Sequence, residues 1–346
     1  MHWSLLSVAS LLWIALHVVA DDDWKKNVPF VGNHTCPGSA WVSNPTGFRF
    51  SSAQNAQTHI DRTFIDGFNM PYVFHPHDML TEGQTLFVEG KVEKFCHDFS
   101  VNFMAATPLV LSAFTDGGVP LHVTINFDRS YLIIDSVKDG RWMNRGPHKF
   151  ANPFVKGEKF DIRVHMFKDY NEIVVNGRKV FDSKHFLPLD VVDFISVVGD
   201  VELTSIRVEG HRFPVPYKKR LPANRFGLND RLILIARSIG GNFNVNFLNE
   251  KEDITLFFNV NFDRKTVTRN SLINGRWGTE ETEGGFPFEA NVEFTLEIAY
   301  KAHGLLLIVN HREFATFFHR ANTPSTDYTF IELTENIQAF MLEVCN

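Results

Sequence analysis

Cysteine is scarce in this chain: Cys36, Cys96 and Cys345 are the only three among 346 residues. So few cannot build a disulfide scaffold, and the odd count leaves one thiol over, either buried or open to an intermolecular disulfide. Cys36 and Cys96 are joined by the shortest tether, but spacing alone fixes no pairing. Surplus basic charge is also missing. A formal net charge of −6 with no arginine-rich run excludes a nucleic-acid partner, which would need a basic face for phosphates. Beyond residue 20 no apolar run is long enough to span a membrane. Gly-x-Ser-x-Gly, His-Glu-x-x-His, the phosphate-binding loop and paired Cys-x-x-Cys are all absent, so no familiar catalytic apparatus is expected. His75-Pro76-His77-Asp78 offers two histidines without the remaining ligands a metal requires, and neither metal nor cofactor is expected.

Phenylalanine, by contrast, is abundant. With 34 Phe, 22 Gly and 15 Pro, the chain has material for cores and for many turns, which favours short strands over long helices. The length suggests about two domains. Residues 1–20 form an uncharged apolar run ending in Val18-Val19-Ala20, the pattern of a secretory signal peptide cut after Ala20. Its first residues include His2 but no Lys or Arg, which keeps an uncleaved anchor as the alternative. Secretion would make Asn33-His34-Thr35 an N-glycosylation site, since Pro45 disables Asn44-Pro45-Thr46. Residues 21–67 show no sustained period and read as an N-terminal extension docking through Trp24, Trp41 and Phe48.

The rest of the chain repeats itself. Asn126-Phe127-Asp128-Arg129 returns as Asn261-Phe262-Asp263-Arg264, and Gly140-Arg141-Trp142 as Gly275-Arg276-Trp277. Both pairs keep one offset of 135 residues, a duplication of domain size, with a first repeat over 68–211 and a second over 212–346. Pro71-Tyr72 and Pro216-Tyr217 introduce the two copies. Residues 86–90, 99–103 and 160–164 alternate large apolar groups with polar ones, as strands with one buried face do. Asn176-Gly177 and, in the second repeat, Asn310-His311 mark tight hairpin turns. The basic run Lys218-Lys219-Arg220 reads as a solvated linker open to proteolytic nicking.

Parity then gives the chemistry. Along residues 255–262, Thr255, Phe257, Asn259 and Asn261 face one way and Leu256, Phe258, Val260 and Phe262 the other. His122, Thr124 and Asn126 oppose Leu121, Val123, Ile125 and Phe127 in the same manner. A sheet offering neutral hydrogen-bonding groups beside an exposed Trp suits a sugar, with hydroxyls that need donors and acceptors and a C–H face that packs on a ring.

On these residues both repeats resemble galectin carbohydrate-recognition domains. The family pattern is His-x-Asn-x-Arg, an Asn on the next strand, then Trp-Gly-x-Glu-x-Arg. The second repeat keeps Asn259, Asn270, Trp277, Gly278 and Glu280, with Phe257, Asn261 and Thr282 in place of the His and the two Arg. The markers Pro287-Phe288 and Phe318-His319-Arg320 also fit. The first repeat keeps His122 and Trp142, while Thr124, Asn126, Asp135, Arg145 and Pro147 replace the other site residues. The resemblance implies an all-β chain of two tandem jelly-roll β-sandwiches. It further implies a secreted lectin for β-galactosides or related glycans on glycoproteins or glycolipids, with no catalysis. The residues implied to bind are Asn259, Asn270, Trp277, Glu280 and Asn261, with His122 and Trp142 in the first repeat. One alternative is an extracellular protein-interaction module that keeps the sandwich but has lost glycan binding. A secreted glycosidase is another, but Asp128 and Asp263 each adjoin an Arg, the setting of an ion pair and not of a raised-pKa acid.

Overall fold

The computed structural model describes residues 36, 40–44, 47–51, 72–76, 79–106, 117–144, 148–320 and 327–345. The signal-like run, Trp24, Asn33, His77, Asp78, Arg145 and Pro147 lie outside them. The first half contains β1 (Ala40–Asn44), β2 (Gly47–Ser51), β3 (Tyr72–Phe74), β4 (Thr85–Val92), β5 (Asp98–Met104), β6 (Val119–Asn126) and β7 (Tyr131–Lys138). It continues with β8 (Arg141–Trp142), β9 (His148–Ala151), β10 (Lys159–Met166), β11 (Tyr170–Val175), β12 (Arg178–Lys184), β13 (Phe194–Gly199) and β14 (Val201–Glu209). The second half contains β15 (Tyr217–Arg220), β16 (Arg231–Leu248), β17 (Ile254–Asn261), β18 (Thr266–Ile273) and β19 (Arg276–Trp277). It closes with β20 (Glu293–Lys301), β21 (Gly304–Val309), β22 (Arg312–Phe318) and β23 (Phe330–Cys345).

The duplication is visible strand by strand. One layer of the first sandwich runs β3-β13-β5-β6-β7-β8, and the other β12-β11-β10-β4-β14. In the second, β15-β23-β16-β17-β18-β19 and β22-β21-β20-β16-β23 reproduce both orders. The difference lies at the corners: β4 and β5 are separate, whereas β16 crosses from one layer to the other, and β13 and β14 correspond to the single strand β23. Between β13 and β14 the chain turns at Gly199, with φ +113°, where a Cβ would stand 2.4 Å from the Asp98 carbonyl oxygen. Only glycine fits such a corner.

Each sandwich encloses its own core. Leu121, Val123, Ile125, Leu132 and Ile134 meet Phe160, Ile162 and Val164 in the first; Leu256, Phe258 and Val260 meet Phe294, Leu296 and Ile298 in the second. Phe243 lies parallel to Phe294 at 5.3 Å, and Phe99 to Phe160 at the same distance. Each such ring contributes about 1.5–3 kcal/mol through burial. The expected turns form, with positive φ at Asn176 and Gly177 and at Asn310 and His311. No described helix is long and apolar enough to cross a membrane.

The outer polar faces of β4 and β10 do not face water. Phe87, Glu89, Asp161, Arg163, His165, Glu172 and Arg207 are all buried, because the two sandwiches pack back to back. Arg163 places Nε and Nη2 on Asp161 and donates from Nη1 to Glu293 Oε2 at 2.8 Å. His165 Nε2 lies 2.7 Å from Glu293 Oε1, and its ring stacks on Phe340 at 3.7 Å. Arg237 answers from the second sandwich, 2.9 Å from Glu172. Phe87 closes the layer, with the Arg207 guanidinium 4.5 Å from its ring centre and Ile233, Ile235 and Met341 in its cluster.

The extension joins the second sandwich. β1 pairs with β23, setting Ala40 opposite Cys345, and Trp41 and Phe48 pack on the second core. The disulfide is therefore Cys36–Cys345, with Cα atoms 5.4 Å apart, and not the short tether to Cys96. Cys96 lies in the first core as a free thiol, so an intermolecular disulfide through it would require that core to open. The basic run departs from the solvated-linker expectation as well. Lys218–Arg220 belongs to β15, hydrogen-bonded to β23, with Lys218 on Glu252 and Arg220 on Glu250. A protease would have to strip a strand to reach it.

Candidate functional site

The face of β17 opposite the core carries the second-repeat residues singled out by parity. Val260, Phe258 and Leu256 are fully buried, while Phe257, Asn259 and Asn261 are half-buried on the other side. Register places Asn244 and Asn246 of β16 opposite Asn259 and Phe257, and Asn270 of β18 opposite Phe257. β19 brings Trp277 over this row, 53% exposed, with its ring 5.1 Å from that of Phe257 at 68°.

The amides are fixed by their partners. Asn259 Nδ2 donates to Asn244 Oδ1 at 2.7 Å, and Asn244 Nδ2 donates to Thr334 Oγ1 at 2.9 Å. Asn246 Nδ2 donates to Glu332 at 3.0 Å. Asn270 Oδ1 accepts from the Ser271 N–H at 2.8 Å and from Arg320 Nη1 at 2.9 Å. The other arm of Arg320 reaches Glu281, which also lies near Arg269. Gly278 makes room for this, since a Cβ there would sit 2.9 Å from Arg320 Nη1.

Not every expected residue joins the cluster. Glu280 is exposed and pairs with no cation among the described residues; its neighbour Glu281 is the carboxylate held by arginine. Asn261 Oδ1 caps the following turn, accepting from the Arg264 N–H at 2.8 Å. Asn126 does the same for Arg129 in the first repeat. Asn244 and Asn246 were legible as a second polar alternation between Phe243, Val245 and Phe247, but the contact of Arg320 with a residue 50 positions away left no sequence signal.

The first sandwich presents a different face. His122 is buried, and Nδ1 approaches Asn102 Oδ1 to 2.6 Å. Because Asn102 Nδ2 donates to Ser100 and Ser196, its Oδ1 is the acceptor and His122 Nδ1 carries the proton. Burial pushes the imidazole down to about 4, so it is neutral at physiological pH. Trp142, 37% exposed, lies 5.3 Å from it. Asp135 is buried and raised by that burial, with Oδ1 accepting from the Asn144 side chain at 2.9 Å. Met104, Val119 and Val137, packed with Val73 and Phe194, fill the remainder with apolar groups. Asp128 and Asp263 sit at exposed hairpin tips, Asp128 paired with His97 and not with Arg129.

Both repeats match a known family. The profile of the family described as galactoside-binding lectin matches residues 71–208 and again 216–343. The 32 kDa beta-galactoside-binding lectin of Caenorhabditis elegans is 34% identical over 255 residues, 73% of this chain and 89% of that protein. Its namesake from Haemonchus contortus is 33% identical over 254 residues, 72% of this chain and 87% of that protein. The solved Caenorhabditis elegans galectin LEC-6 shares 27% identity over 38% of this chain and 92% of its own, with a TM-score of 0.36. With two matches spanning most of its length, the chain belongs to the galactoside-binding lectin family, whose members bind carbohydrate and are not enzymes.

Proposed function

We propose that this chain is a secreted lectin that binds β-galactosides or related extracellular glycans, on glycoproteins or glycolipids, through the exposed face of its second sandwich. The observation that carries the reading is the convergence of Asn259, Asn270 and Trp277 on one open face, with Arg320 locking Asn270 from behind. An amide acceptor, an amide donor and an aromatic platform are the groups a pyranose needs. Secretion is supported by the apolar run before Asp21, the sequon at Asn33 and a disulfide, which persists in oxidising compartments. Trp277→Ala in the full chain should abolish binding on a glycan array, while Trp142→Ala leaves it nearly unchanged. Equal loss from both, or none from Trp277→Ala, would refute the assignment.

A second reading applies to the first sandwich alone. Its counterpart face buries His122 and Asp135 among apolar groups, which favours a structural or protein-interaction role there. One glycan bound per chain in titration calorimetry would support this division, and two would overturn it.

A further inference from the structure

On the open face, Phe257 stands between two polar groups of opposite character. Asn270 spends Oδ1 on Ser271 and Arg320, which leaves Nδ2 as its donor. Asn259 spends Nδ2 on Asn244, which leaves Oδ1 as an acceptor. Phe257 is the cross-strand partner of Asn270 and lies two residues before Asn259, and it meets Trp277 edge to face. The result is an apolar corner flanked by one donor and one acceptor. A hydroxyl driven against the two rings themselves, rather than towards the flanking amides, gives up its water hydrogen bonds and finds no partner on them. A methyl group there loses nothing polar and gains contact with two rings.

We propose that the Phe257–Trp277 corner selects a hexose bearing a methyl-terminated substituent over the parent sugar with a free hydroxyl at that position. The methyl can belong to a 6-deoxy carbon, an O-methyl ether or an N-acetyl group, which share one surface chemistry. The proposal rests on the sugar-binding reading of this face and names what that site prefers. Burial of one methyl corresponds to roughly four- to tenfold in affinity.

The test uses the full-length chain on an array of matched pairs: each terminal galactoside beside its 6-deoxy, O-methyl and N-acetyl counterparts. At least one methyl-bearing series should bind about four- to tenfold tighter than its parent, and saturation-transfer NMR should show the strongest transfer at that methyl. Phe257→His should remove the preference. Phe257→Tyr, which keeps the ring and adds only a hydroxyl, should do so too and guards against a histidine variant that fails to fold. Parents binding as tightly as every methylated partner, or a preference that survives Phe257→Tyr, would overturn the proposal and leave the lectin reading standing. Binding to neither member of any pair would overturn both.

Discussion

Arg320 Nη1 donates to Asn270 Oδ1 at 2.9 Å, so a side chain just past the end of β22 orients an amide in the middle of β18. The contact decides which way Asn270 points, because a guanidinium has only donors and the amide must offer its oxygen. Arg320→Ala removes this constraint and leaves Glu281 with Arg269 alone. A charged hydrogen bond is worth about 1.5–3 kcal/mol, so glycan affinity in titration calorimetry should fall roughly ten- to hundredfold. Arg320→Lys should lose most of the same affinity, since an ammonium cannot serve both partners in the fork. Unchanged affinity in Arg320→Ala, with the melting temperature preserved, would sink the positioning role.

Arg163→Met should be among the most damaging single changes in the chain. It leaves Asp161 without its cation and removes one from Glu293, both fully buried. Breaking a buried pair from one side costs about 3–5 kcal/mol. Combining it with Glu293→Leu should return part of that loss in urea denaturation, since fewer charges are then left stranded in the interface.

The cysteines make a prediction that needs little protein. Denatured without reductant, the chain should show one titratable thiol, Cys96. In the native state Cys96 should resist iodoacetamide, because burial, with Asp200 beside it, pushes its thiol up to about 12. Replacing Cys36 and Cys345 together by Ser should lower stability by about 2–4 kcal/mol, since the bridge constrains the unfolded chain across 309 residues.

The interface should also respond to pH from both sides. Glu343 is pushed up to about 8 by burial and by the neighbouring Glu209, so the folded state holds a proton that the unfolded state releases above about 4.5. Its contribution is complete below 4.5 and is lost as pH rises through 8. Glu293 behaves oppositely: burial would raise it, but His165, Arg163 and Arg237 hold it down to about 2. Its contribution is present above 4.5 and is lost as pH falls towards 2. Glu343→Gln should flatten the decline between about pH 4.5 and 8 in denaturation midpoints and leave the acid limb intact. A wild-type curve that does not fall across that range would contradict the assignment.

Whatever follows from local spacing is legible in the sequence. The alternation of residues 255–262 placed Phe258 inward and Asn259 outward because a strand has only two faces, and Asn176-Gly177 announced its turn through backbone preference. What could not be read came from partners distant in sequence. Arg163 and His165 look like the solvent side of a half-buried strand until a second sheet is laid over them. Cys36 looks nearer to Cys96 until β1 is seen beside β23. The family pattern points to Glu280, and only the fold shows that Arg320 holds Glu281 instead.

β23 has a consequence for the order in which the protein can be made. Residues 330–335 supply a strand to one layer of the second sandwich and 337–345 to the other, and the same segment carries Phe340 against His165 and Cys345 against Cys36. During synthesis the first sandwich has all its strands by residue 209, yet its charged outer face gains Arg237 and Glu293 only with β16 and β20, and its cover by Phe340 and Met341 only when β23 emerges. Ribosome-bound chains stopped before residue 330 should therefore show a protease-resistant first half and a digestible second half. Both layers of the second sandwich and the joint between the halves then close together.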